Sequence, residues 1–114
     1  EILFPSGSAV LNDSGKQVIA KLSERFKGKE YQIMVAGFTD NVPISGRLAK
    51  VYPSNWELAG ARAASVVRLM EASGINSDYL LATSFGDNQP VASNNSAEGR
   101  SLNRRIEIRL RPLQ

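Results

Sequence analysis

The run Tyr31-Gln-Ile-Met-Val-Ala-Gly-Phe38 is mostly apolar on both of its alternating faces, and no other segment constrains the fold as strongly. A strand with one wet face alternates apolar and polar residues, whereas a strand covered on both sides does not. This run therefore belongs at the centre of a sheet. The remaining elements must supply its neighbours and its cover.

Upstream, Ile2-Leu3-Phe4 before Pro5 reads as a short strand ended by a turn. Asn12 is placed to cap a helix from about Asp13 to Phe26. Val18, Leu22 and Phe26, with Ile19 beside them, form its apolar stripe. Downstream, Val42 to Pro53 reads as a long loop, broken by Pro43, Gly46 and Pro53. Ser54 and Glu57 have capping-box spacing, and a helix to about Ser73 should bury Trp56, Ala59, Ala63, Val66, Val67 and Met70. Gly74 stops it. Leu80 to Phe85 is a third strand, Gly86 to Asn95 a polar loop, and Ser96 to Asn103 a short helix. From Arg104 to Leu110 the alternation is strict, with Ile106, Ile108 and Leu110 inward and Arg105, Glu107 and Arg109 outward.

The order is β-α-β-α-β-β. It predicts an α/β (α+β) sandwich, with a mixed four-stranded sheet and helices packed on one face. A length of 114 residues fits one domain, here 1–114. No apolar run approaches the roughly 20 residues that span a bilayer. Because the chain starts at Glu1 rather than Met, it reads as a fragment or processed product. Any membrane association would then come through a segment upstream.

Composition narrows the chemistry. There is no Cys and no His, which removes disulfides, thiolate metal sites and every Ser-His or Cys-His nucleophile. The acids are scattered without metal-ligand spacing, and no Gly-rich phosphate loop is present. No metal and no cofactor are therefore expected. The net charge of +3 lies wholly after Ala97, where five arginines face Glu98 and Glu107. That basic edge could bind phosphates, but no aromatics interleave with its arginines, which argues against nucleic acid.

Two positions could carry binding chemistry. Asp40 closes the central strand beside an open loop, where open α/β sheets place ligands; it could equally start an Asx turn. Arg62 sits among Ala59, Ala61, Ala63 and Ala64, so its guanidinium is accessible to a carboxylate. It could equally be a solvated helix arginine or a partner of Glu57.

The segments Ala36-Gly-Phe-Thr-Asp-Asn41, Ser54-Asn-Trp-Glu-Leu-Ala-Gly-Ala-Arg-Ala63, Phe85-Gly86 and Glu98-Gly-Arg-Ser-Leu-Asn-Arg-Arg-Ile-Glu-Ile108 together resemble the OmpA-like, peptidoglycan-associating domain. They follow that family's order over almost the whole chain. The stretch Asn41-Val-Pro-Ile44 and the loop to Tyr52-Pro-Ser-Asn-Trp-Glu57 most resemble the flagellar stator subgroup, MotB and its relatives. The family usually reads Gly-His-Thr-Asp, and here Phe38 stands at the His position.

The resemblance implies a non-catalytic module that binds peptidoglycan through the meso-diaminopimelate of its stem peptide and anchors an envelope protein in the periplasm. Asp40 would accept from the ligand ammonium and Arg62 would hold its carboxylate. Asn55 and Leu58 would line the pocket; with Arg62 they fall at i, i+3 and i+7 on one helix face. Thr39 and Asn41 would flank the acid, and Arg105 would support it from the neighbouring strand. Domains of this kind also pair as homodimers. The rival readings are an outer-membrane or lipoprotein tether without a motor role, and a wall hydrolase using Asp40 with Glu57.

Overall fold

The computed structural model describes residues 3–113. Helix α1 (Asp13–Phe26) leads into strand β1 (Tyr31–Phe38). Helices α2 (Leu48–Val51) and α3 (Asn55–Ala72) follow, then a 3₁₀ turn over Ser77–Tyr79 into β2 (Leu80–Gly86). Helix α4 (Ala97–Asn103) and β3 (Arg105–Pro112) complete the order. The sheet runs β2-β1-β3, with β1 central, parallel to β2 and antiparallel to β3. The parallel pair requires a long crossover, and α3 provides it.

Among the described residues the sheet has three strands, not the expected four. Ile2 lies outside the described residues. Leu3 and Phe4 form a bend rather than a strand. The carbonyl of Leu3 accepts from Asn12 N–H at 2.9 Å, so it caps the approach to α1. Phe4 is buried in the core with Leu11, Ile19, Ile33, Val35, Val66 and Met70. Burial and a local hydrogen bond thus replace the ladder that the pattern predicted.

The caps match expectation. The Asn12 side chain accepts from Gly15 N–H, and that of Ser54 accepts from Trp56 N–H. The α1 stripe is rotated from the expected one. Gly15, Ile19 and Ser23 are buried, while Val18 is 51% exposed. Ser23 is tolerated at the centre because its hydroxyl donates to the Ile19 carbonyl at 2.8 Å. The loop expected from Val42 to Pro53 contains the single turn α2. At the far end of β3, Leu110 is exposed rather than inward, beyond the reach of the helices.

The helices cover the face of β1 that carries Ile33, Val35 and Gly37. At Gly37 strand and helix nearly touch: a Cβ there would land on the carbonyl of Ala59. This is a close approach that only glycine permits. Gly37→Ala should therefore destabilise the domain by about 3 kcal/mol, as overpacking against backbone cannot be relieved by a rotamer change. Urea unfolding monitored by circular dichroism measures this, with Gly60→Ala, which meets only the Ser84 side chain at 3.5 Å, as the mild control.

Candidate binding site

β1 delivers Thr39 and Asp40 to the carboxyl end of the sheet, and both are buried. The Thr39 N–H donates to the Gly86 carbonyl at 2.7 Å, extending the β1–β2 pairing by one residue. Its hydroxyl donates to the Asp40 carbonyl at 2.8 Å. The carboxylate of Asp40 accepts from Val42 N–H at 3.0 Å, which is the Asx turn that the sequence allowed. It also accepts from Arg104 Nη1 at 2.5 Å in an ion pair with little exposure on either side. Asp40 is thus both a turn residue and a charged site residue.

Arg104 was missed by the sequence reading, which assigned the supporting role to Arg105. A signal was available. By the alternation of β3, Arg104 shares the inward side of Ile106 and Ile108, and an inward arginine needs a carboxylate. Arg105 points to the other face of the sheet. Its guanidinium lies 3.7 Å over the Phe38 ring, donates to Glu107 at 2.7 Å and to the Gln89 carbonyl at 3.0 Å. Phe38, 1% exposed, stacks in turn on Phe85 at 4.9 Å. Arg109, outward as the alternation predicts and exposed, pairs with Glu107 at 2.9 Å and lies 5.0 Å from the Phe85 ring. Arg111 is exposed.

Helix α3 places Asn55, Leu58 and Arg62 on one face, as their spacing predicts. Asn55 Nδ2 donates to the Val42 carbonyl at 3.1 Å and lies 3.4 Å from that of Asp40, so it ties the loop to the helix. Leu58 is buried. Arg62 is 5% exposed and its Nε donates to the Ser8 carbonyl at 2.8 Å, with Phe4 beneath it at 5.2 Å. It is neither a solvated arginine nor a partner of Glu57. Asn41 is exposed at the loop entrance. Arg62 and Arg104 share the wall of a cavity of about 380 Å³, with Phe4, Leu102 and Ile106 supplying its apolar lining. The structure thus brings Arg62 to Arg104, and Arg104 to Asp40.

Trp56, expected in the core, is 53% exposed. The indole lies over Gly86, the last residue of β2, which has no side chain to cover it.

With this geometry in view, the family is decided by sequence. The OmpA family model matches residues 3–104. The chain belongs to the OmpA family. It is 34% identical over 113 residues to motility protein B of Bacillus subtilis, covering 97% of this chain and 42% of that protein. The chain therefore spans about two fifths of the length of this relative. A MotB-like protein from Desulfovibrio vulgaris superposes with a TM-score of 0.89 at 34% identity, covering 98% of this chain and 71% of that one. The cell wall anchor of the T6SS from Pseudomonas aeruginosa gives a TM-score of 0.83 at 39% identity, covering 93% and 72%.

Two carboxylates are held below their ordinary range. For Glu57 the first cause is the Ser54 hydroxyl; for Glu107 it is the hydrogen bond from Arg105, then that from Arg109. A depressed pKa means that the contribution of Glu107 to stability is present above its ordinary value near 4.5 and is lost as pH falls through the folded value. Glu107→Gln should cost about 1 kcal/mol at pH 7, and the gap from the parent should narrow as pH falls below 4.5 and through the lowered folded value. Paired thermal melts from pH 3 to 7 test this.

Proposed function

We propose that this domain binds peptidoglycan without cleaving it and so anchors an envelope protein to the cell wall on the periplasmic side. The observation that carries the reading is the placement of one buried carboxylate, Asp40, beside cavity-lining arginines, in a chain whose relatives include a cell wall anchor. The ligand is the meso-diaminopimelate of the stem peptide. Its free end carries an ammonium and a carboxylate on one carbon. Asp40 accepts from the ammonium with the lone pairs that Val42 and Arg104 leave. Arg62 and Arg104 face the carboxylate, for which a guanidinium is a matched donor. Thr39, Asn41, Asn55 and Leu58 would flank the ligand on the Asp40 side, at the end of β1 and the first turns of α3. Because both charges would be desolvated, a ligand lacking either group loses far more than one contact.

Hydrolysis is a poorer reading. A general acid needs a raised pKa, and Glu57, the one proposed second acid, is held low by Ser54. Within wall anchors, the similarity to motility protein B favours a stator role over a simple tether. The single domain 1–114 would be the stationary end of such a machine. It would work alone or as a homodimer.

Sedimentation with purified diaminopimelate-type sacculi tests the reading. The parent should co-sediment and release no soluble fragments. Free meso-diaminopimelate should compete, and cadaverine, which keeps the ammonium but has no carboxylate on its carbon, should not. Asp40→Asn should reduce binding at least tenfold, and so should Arg62→Lys, which keeps the charge but not the planar fork. Normal binding by Asp40→Asn, or competition by cadaverine equal to that by diaminopimelate, overturns it.

A further inference from the structure

We infer that Trp56 is a stacking platform for a pyranose ring of the glycan strand, a second subsite beside the peptide pocket. The inference rests on the proposed peptidoglycan binding and extends it from the stem peptide to the sugar. Trp56 is 53% exposed and so offers a flat aromatic face with a polarised π-surface to a ligand. Trp56 is more than exposed; it is seated. A Cβ on Gly86 would come within 3.2 Å of the indole, and Gly86 has a positive φ of 59°. The seat therefore needs glycine both for its backbone conformation and for the approach of the ring. The backbone behind the ring is fixed as well, since Ser84 Oγ donates to the Trp56 carbonyl at 2.7 Å. A ring held in this way loses little freedom when a ligand covers it.

The platform is tied to Asp40 by short hydrogen-bonded links on both sides. The Gly86 carbonyl accepts from Thr39 N–H, one residue before Asp40. On the other side, Asn55 links the same helix turn to the Asp40–Val42 loop. A polymer whose peptide enters at Asp40 brings its sugar to the neighbouring surface. The C–H face of a pyranose is weakly positive, and the face of an indole is negative, so the two stack. An occupant made only of peptide offers no such face.

The chain holds one tryptophan, so intrinsic fluorescence reports this residue alone. The probes are the tripeptide L-alanyl-γ-D-glutamyl-meso-diaminopimelate and the same tripeptide on its N-acetylglucosaminyl–N-acetylmuramyl disaccharide. The disaccharide form should bind the parent about tenfold more tightly and blue-shift the emission; the tripeptide should bind without the shift. Trp56→Ala, followed by calorimetry, should bring the disaccharide form down to the tripeptide's affinity and leave the tripeptide unchanged. Trp56→Phe should recover part of the difference and guards against a folding defect in the alanine variant. Equal affinities of Trp56→Ala and the parent for the disaccharide form overturn the platform, as does equal loss of both ligands. If the tripeptide fails to bind while the disaccharide form binds through Trp56, the platform stands and the zwitterion pocket falls. If neither ligand binds the parent, both fall.

Discussion

The contact between Gly37 and the Ala59 carbonyl fixes the geometry on which the site depends. It presses the central strand against the crossover helix at one point. Asp40 lies three residues beyond Gly37 along the strand, and Arg62 lies one helical turn beyond Ala59. Since both elements are rigid on either side of the contact, the positions of the acid and the arginine follow from one close approach. Larger side chains at these two places would lift the helix and move the two charges apart. The small residues around Arg62 therefore serve packing first. They let the helix lie low enough for an arginine to be buried against the Pro5–Ser8 turn.

The second face of the sheet is covered without a helix. Phe38 is buried beneath Phe85 and the guanidinium of Arg105, and Glu107 holds both Arg105 and Arg109. A flat cation over an aromatic ring excludes water from the ring while keeping its own edge hydrogen-bonded. This is how β1 can be apolar on both faces with helices on only one.

Much of this was legible in the sequence because it depends on local rules. The helix caps at Asn12 and Ser54, the central place of Tyr31–Phe38 and the alternation of β3 are set by periodicity and by short-range hydrogen bonds. Arg62, Asn55 and Leu58 on one face of α3 follow from helical spacing. The failures share a different cause. Leu3 and Phe4 have strand composition, yet the core and Asn12 compete for them and win. Trp56 lies on the apolar face by angle, but what stands against it is Gly86, which has no side chain to cover the ring. Val18 gives its place to Ser23, whose hydroxyl is satisfied within the helix. In each case the pattern states which way a residue points and says nothing of what stands opposite.

The same distinction explains the exchange of Arg104 for Arg105. Both arginines lie in the stretch that resembles the family, and both are ordered by carboxylates, but on opposite faces. The inward one meets Asp40, and the outward one meets Glu107. A buried ion pair such as Asp40–Arg104 contributes little net stability, because desolvation offsets most of the attraction. What it does provide is direction: the Val42 amide takes Oδ1 and Arg104 takes Oδ2, so the carboxylate is held from both oxygens and only their remaining lone pairs are open to a further donor. On the proposed reading, an approaching ammonium would meet an acid already oriented by two fixed donors, and the carboxylate on the same carbon would lie toward the arginines of the cavity wall. Selectivity for a zwitterion would then rest on charges of both signs that the fold has already desolvated.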